Sequence, residues 1–208
     1  MIEWVSFAFV GVFAGITAGL LGLGGGIIMV PSLLYLFKTF GMDEQHLMHM
    51  AVGTSLMAII VTSFSSIIAH QRYGNVNWVI VRRFFMGLVL GGFGGAYIAS
   101  SIPSYLLQQI FAIYALIMSI HLWFSSSNFS KYSRLLKPSY LSAIGSVVGS
   151  VSVLVGMGGG TIIVPYLLLA GQNIQRSIGT SSACALPIAI SGVLGFIIFS
   201  EQQPITEK

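Results

Sequence analysis

Between residues 4 and 199 lie six apolar stretches, 4–37, 50–70, 78–100, 104–124, 139–170 and 178–199. Together they hold 153 residues, and Arg82 and Arg83 are their only Asp, Glu, Lys or Arg. A helix needs about 20 apolar residues to cross the hydrocarbon core of a bilayer. This pattern therefore predicts a polytopic, all-α transmembrane bundle. The two arginines sit near the start of their stretch, where long cationic side chains reach the interface. Charged residues are 7% of the chain, against about 25% in soluble domains. A soluble surface cannot be covered with so few charges. The net charge of +4 rests on nine basic and five acidic residues, which describes no nucleic-acid-binding face. One cysteine, Cys184, excludes an intramolecular disulfide and a cysteine zinc cluster. It reads as a small core residue.

Gly11, Gly15 and Gly19, then Gly87, Gly91 and Gly95, then Gly145 and Gly149 recur at every fourth position. That spacing lines one helix face with small residues and lets backbones approach closely. The runs near 22–26 and 156–160 differ. GLGGGIIMVP (22–31) matches GMGGGTIIVP (156–165), and Gly53-Thr54-Ser55 answers Gly179-Thr180-Ser181. These matches predict two repeats, 1–124 and 139–208, joined by a basic cytoplasmic linker at 125–138. Three successive glycines disfavour a helix, and Pro31 or Pro165 falls in the first turns of the helix that resumes. The first helix of each repeat is thus expected to break inside the membrane and resume near Gly26 and Gly160. Such a helix start exposes unpaired N–H groups at the positive end of the dipole. Glycine permits close approach to that backbone, so an anion can be held without Lys or Arg. Matched breaks of this kind point to a transporter binding site.

Candidate substrate contacts are Gly24, Gly25, Gly26, Gly158, Gly159 and Gly160, with the hydroxyls of Thr54, Ser55, Thr161, Thr180 and Ser181. Hydroxyls can donate to an oxyanion or bond back to the preceding helical turn. His70, Arg72 and Arg176 are candidates for a gate or coupling group, His70 and Arg72 also for interfacial anchors. His121 reads as a packing residue. His46 and His49, near Asp43 and Glu44, read as a solvated loop or helix start, and no metal site or cofactor is expected. Neither glycine run fits G-x-G-x-x-G, and there is no G-x-x-x-x-G-K-[ST]. No paired carboxylates or activated nucleophile suggest an enzyme.

Positive charge places the loops at 71–77 and 125–138 in the cytoplasm. Stretches 4–37 and 139–170 are long for one span and short for two. As kinked passes they make the halves parallel repeats; as hairpins they make them inverted ones. Both readings give the same charge count.

GLLGLGGGIIMVPSLL (19–34), HMAVGTSL (49–56), AHQRYGNVNW (69–78), GMGGGTIIVPYLL (156–168) and RSIGTSS (176–182) resemble the sulfite exporter TauE/SafE family over nearly the whole chain. The resemblance implies a duplicated four-helix unit in the cell (inner) membrane and transport of small sulfur-containing anions such as sulfite, sulfoacetate and related organosulfonates. One departure stands out. Two spans follow the first half's Gly53 helix, whereas none follows the helix that carries Gly179. The second repeat is expected to be two helices short, as a short family member, a non-transporting remnant or a truncated product. A homo-oligomer is one way to cover the surface this leaves open.

Overall fold

In a computed structural model, residues 2–21, 25–124 and 138–200 are described, and these are helical apart from short connections. The helices are α1 (Ile2–Leu21), α2 (Gly26–Thr39), α3 (Leu47–Arg72), α4 (Trp78–Ser101), α5 (Ser104–Phe124), α6 (Pro138–Val155), α7 (Gly160–Leu169) and α8 (Ile174–Ser200). Four of these, α3, α4, α5 and α8, are long and apolar enough to cross a membrane. Gly24 and the linker 125–137 lie outside the described residues.

Stretches 4–37 and 139–170 are each two helices, and each pair folds back on itself. Were α1 and α2 in line, Phe7 and Phe37 would stand about 45 Å apart, at 1.5 Å per residue. Their ring centroids are 5.8 Å apart. In the second pair, a Cβ on Gly145 of α6 would lie 3.0 Å from the Phe84 carbonyl, and the Phe84 ring meets Tyr166 of α7 at 5.9 Å. A straight run would separate Gly145 and Tyr166 by about 30 Å. The glycines are therefore turns of hairpins. Gly25 and Gly159 stand immediately before α2 and α7 in the left-handed region, at φ 66° and 74°, which costs a residue with a Cβ and not glycine. The helices resume at Gly26 and Gly160, where the sequence places the restart.

The two long helices α3 and α8 run antiparallel and fix the depth of these turns. Position 192 of α8 meets Leu56 of α3, Ser182 meets Ser66, and position 179 meets His70. Along this seam the turns pack at the centre. A Cβ on Gly158 would touch Ala185 and Ile59, while one on Gly26 would lie 2.5 Å from the Gly156 carbonyl oxygen. Ile59 and Ala185 sit near the midpoints of helices about 40 Å long. The turns thus meet each other halfway through the bundle, and α2 and α7 leave that point toward opposite ends. The Ser55 hydroxyl, fully buried on α3, donates to the Gly156 carbonyl at 2.9 Å. An unpaired carbonyl at this depth would have no water to bond.

The glycine stripes divide. Gly87, Gly91 and Gly95 of α4 lie against Ser142, Ser146 and Ser150 of α6, and Gly145 and Gly149 answer from the other side. The two helices run parallel with backbone against backbone, and the Ser150 hydroxyl donates to the Gly91 carbonyl at 2.9 Å. In contrast, a Cβ on Gly11 or Gly15 of α1 would meet nothing within 4 Å. At Gly11 and Gly15 the stripe on α1 packs against no other helix among the described residues.

Arg72, Arg82, Arg83 and Arg176 gather at one end of the bundle, where α3 passes to α4 and α7 to α8. At the opposite end the loop 40–46 pairs Lys38 with Glu44 at 4.0 Å and Asp43 with His46 at 2.7 Å. His46 and the Gln45 N–H hold the Asp43 carboxyl below the usual carboxylate range. His49, at the start of α3, is half-buried, and its ring Nε2 donates to the Ala99 carbonyl at 2.9 Å.

Gly91→Leu should lower stability by about 1–3 kcal/mol through overpacking, and Ser55→Ala by about 1–3 kcal/mol through the orphaned carbonyl. Gly11→Leu and Thr54→Ala should stay within about 0.5 kcal/mol of the parent; thermal unfolding in detergent measures all four. For Asp43 a lowered carboxyl stabilises above the ordinary Asp range and ceases to as pH falls through the lowered value. Its carboxyl NMR titration should shift to higher pH in His46→Gln.

Candidate functional site

The hairpin of α6 and α7 is closed by backbone bonds before any side chain acts. Gly156 ends α6, its N–H donating to the Val153 carbonyl at 3.2 Å and the Met157 N–H to that of Ser152 at 2.8 Å, a pattern that caps helix C-termini. Two residues on, α7 begins. Its first intrahelical donors are Ile162 and Ile163, both to the Gly159 carbonyl. The N–H groups of Gly160 and Thr161 come before these, at the positive end of the helix.

A cavity of about 370 Å³ runs from this turn toward the basic end, between α3 and α8. Gly158, Gly160 and Ala185 line its inner part and His70 and Ile178 its mouth, with Gly15 of α1 on one wall. Its remaining surface is rich in hydroxyls: Thr62, Ser63, Ser65 and Ser66 from α3, Ser181 and Ser182 from α8. Ser66 donates to Ser182 at 3.0 Å, and Ser182 donates to the Ile178 carbonyl at 3.0 Å. Ser63 and Ser181 are 5% and 2% exposed and line the cavity without a hydrogen bond to any described residue. Both line the cavity, where a hydroxyl can donate to something that enters it. Among the described residues no Lys, Arg, Asp or Glu lines the space.

The residues expected from the sequence are distributed unevenly around it. Gly158, Gly160, Ser181 and His70 line the cavity. Gly159 shapes the turn from behind, with Ile188 and Ser152 against it. Ser55 holds the Gly156 carbonyl, and Thr180 accepts the Asn77 N–H at 3.0 Å, tying α8 to the start of α4. Thr161, 1% exposed, is hydrogen bonded to the Tyr114 hydroxyl of α5. Thr54 is exposed. Gly25 precedes α2 at its N-cap and Gly26 lies on Gly156 and Met157, while Gly24 falls outside the described residues. Arg72 and Arg176 are exposed near the mouth and do not line it. Sequence reasoning singled out Ser182 beside Ser181 but passed over Thr62, Ser63, Ser65 and Ser66. Their signal was available as TSFSS (62–66), a hydroxyl cluster inside an otherwise apolar span. Among the described residues no group of His, Cys, Asp and Glu is placed to hold a metal.

Comparison with known proteins agrees with this architecture. The family model "Sulfite exporter TauE/SafE" matches residues 7–206. A probable membrane transporter protein of Haemophilus influenzae is 33% identical over 198 residues, which is 94% of this chain and 74% of that protein. One from Methanocaldococcus jannaschii is 30% identical over 90% of this chain and 70% of its own length. Another, YunE of Bacillus subtilis, is 31% identical over 80% of this chain and 68% of its own length. No solved structure matches. A match over nearly the full length, on an all-helical bundle built to cross a bilayer, places this chain in the sulfite exporter TauE/SafE family of membrane transporters.

Proposed function

We propose that this protein is a secondary transporter that moves a small sulfur-containing anion, such as sulfite or an organosulfonate, across the cell (inner) membrane. The observation that carries the reading is the hydroxyl-lined cavity ending on the N-terminus of α7. An anion there would accept from Ser63, from Ser181 and from the N–H groups of Gly160 and Thr161. These donors are fixed in advance by helix geometry, so little reorganisation opposes binding. They also avoid burying a fixed cation, which is costly at this depth. The names of the relatives support transport, and the family description supports the class of substrate.

In this reading the cavity opens to the cytoplasm, because the arginines cluster at its mouth. The halves 1–124 and 139–208 act as inverted units on either side of the linker 125–138. Their hairpins meet head to head at mid-depth, and α2 and α7 diverge from there. Rocking of one half against the other about this junction would expose the site alternately to each side. The first hairpin has a different task from the second. Gly26 abuts Gly156 and Met157, so α2 supports the second turn from behind while α7 presents its N-terminus to the cavity.

Counterflow of labelled sulfite or methanesulfonate in proteoliposomes tests the proposal. The parent protein should exchange at least one of these anions. A Ser63→Ala, Ser181→Ala double variant should raise KM by about tenfold or more, because hydrogen bonds to charged groups contribute about 1.5–3 kcal/mol each. Unchanged KM in that variant would remove the site from this cavity, and absence of exchange by the parent would refute the function.

A further inference from the structure

We propose that the cavity selects singly charged anions over doubly charged ones, so that an acid with two ionisable protons is carried as its monoanion. The inference deepens the transport reading above and rests on it. It starts from what the lining contains among the described residues: six hydroxyls, the start of α7, and no Lys or Arg. The α1 wall adds none, since residues 1–37 hold neither Lys nor Arg. Arg72 and Arg176 are exposed outside the mouth, where water and salt screen them from an ion at the inner end.

Two opposing terms set the charge such a site prefers. Removing an ion from water costs energy in proportion to the square of its charge, the Born term that makes buried ions expensive. Attraction to fixed dipoles grows only in proportion to the charge. Doubling the charge therefore multiplies the cost by four and the compensation by two. A countercharge would change the balance, but a helix terminus supplies the equivalent of only about half an elementary charge. The hydroxyls of Ser63 and Ser181 add donors without adding charge. They saturate too: each hydroxyl has one proton to give, while a dianion offers more strong acceptor sites than the lining can meet.

His70 is the one histidine among the described lining residues. It stands at the mouth, with Arg72 two residues on along α3 and exposed Arg176 at the start of α8. Among the described residues the carboxylates whose side chains are placed are Asp43 and Glu44, at the other end of the bundle. His70 is accordingly removed in the control below, so that the pH response reports the charge of the anion.

The test is counterflow with the purified full chain in proteoliposomes. It uses labelled methanesulfonate, which keeps one charge, sulfate, which carries two, and sulfite, whose second proton leaves near neutrality. Methanesulfonate should exchange at least about tenfold faster than sulfate, a gap of about 1.4 kcal/mol or more at the barrier. Sulfite exchange should fall as pH rises through neutrality while methanesulfonate exchange stays level, in the parent and in His70→Gln alike. A further variant adds the missing charge: Ser65→Lys, at an exposed position on the lining, should shift the ratio toward sulfate. Sulfate exchanging as fast as methanesulfonate, or sulfite exchange rising with pH, would overturn the selectivity while leaving transport standing. Exchange of none of the three anions would overturn transport itself, and the selectivity with it.

Discussion

The structure depends on what happens to backbone N–H and C=O groups when a helix stops in the middle of a membrane. Water is absent there, so each freed group needs a protein partner or a polar cavity. This chain uses both solutions. The carbonyls at the end of α6 are taken up by the Gly156 and Met157 N–H groups, and the Gly156 carbonyl by the buried hydroxyl of Ser55. The N–H groups at the start of α7 adjoin a cavity instead. A helix break has one end that can be sealed and another that can be offered to a ligand, and the two are a few residues apart.

Sealing the break requires other helices to stand close around it, and small residues make that possible. The α4–α6 pair lets backbones touch along Gly87, Gly91 and Gly95. Dispersion and close approach substitute here for a hydrophobic driving force, which is weak between helices in lipid. This seam, the α3–α8 seam and the hairpin turns share residues of the same core cluster, including Leu56, Phe84, Leu88, Ile163 and Ile188. The candidate site is therefore mounted on this core. Alpha1 contrasts with this core, since Gly11 and Gly15 of its stripe face open space among the described residues.

Much of this was legible in the residues. The spans and the restart of the helices at Gly26 and Gly160 follow from local chemistry: apolar length, glycine runs and the proline that follows. The choice between kinked pass and hairpin was not legible, because both give the same charge asymmetry and the same local turn. The hydroxyls were only partly legible. Thr54, Ser55, Thr180 and Ser181 look equivalent in sequence, yet Ser181 faces the cavity, Thr180 holds the start of α4, Ser55 caps a carbonyl and Thr54 is exposed. Ser63 stood in the hydroxyl cluster TSFSS (62–66) and became a candidate only because α8 packs beside α3 there.

By itself the sequence determined that this chain belongs in a bilayer, where its helices lie and where they break. Each of these rests on interactions within a few residues or on the cost of moving a segment out of water. Tertiary structure decided which broken end is sealed and which is open, which hydroxyls are spent on the fold and which remain free, and that the two turns meet at mid-depth. Those outcomes depend on the rotation and partner of each helix, quantities set by contacts between residues about a hundred positions apart, such as Ser55 with Gly156 and Ser66 with Ser182.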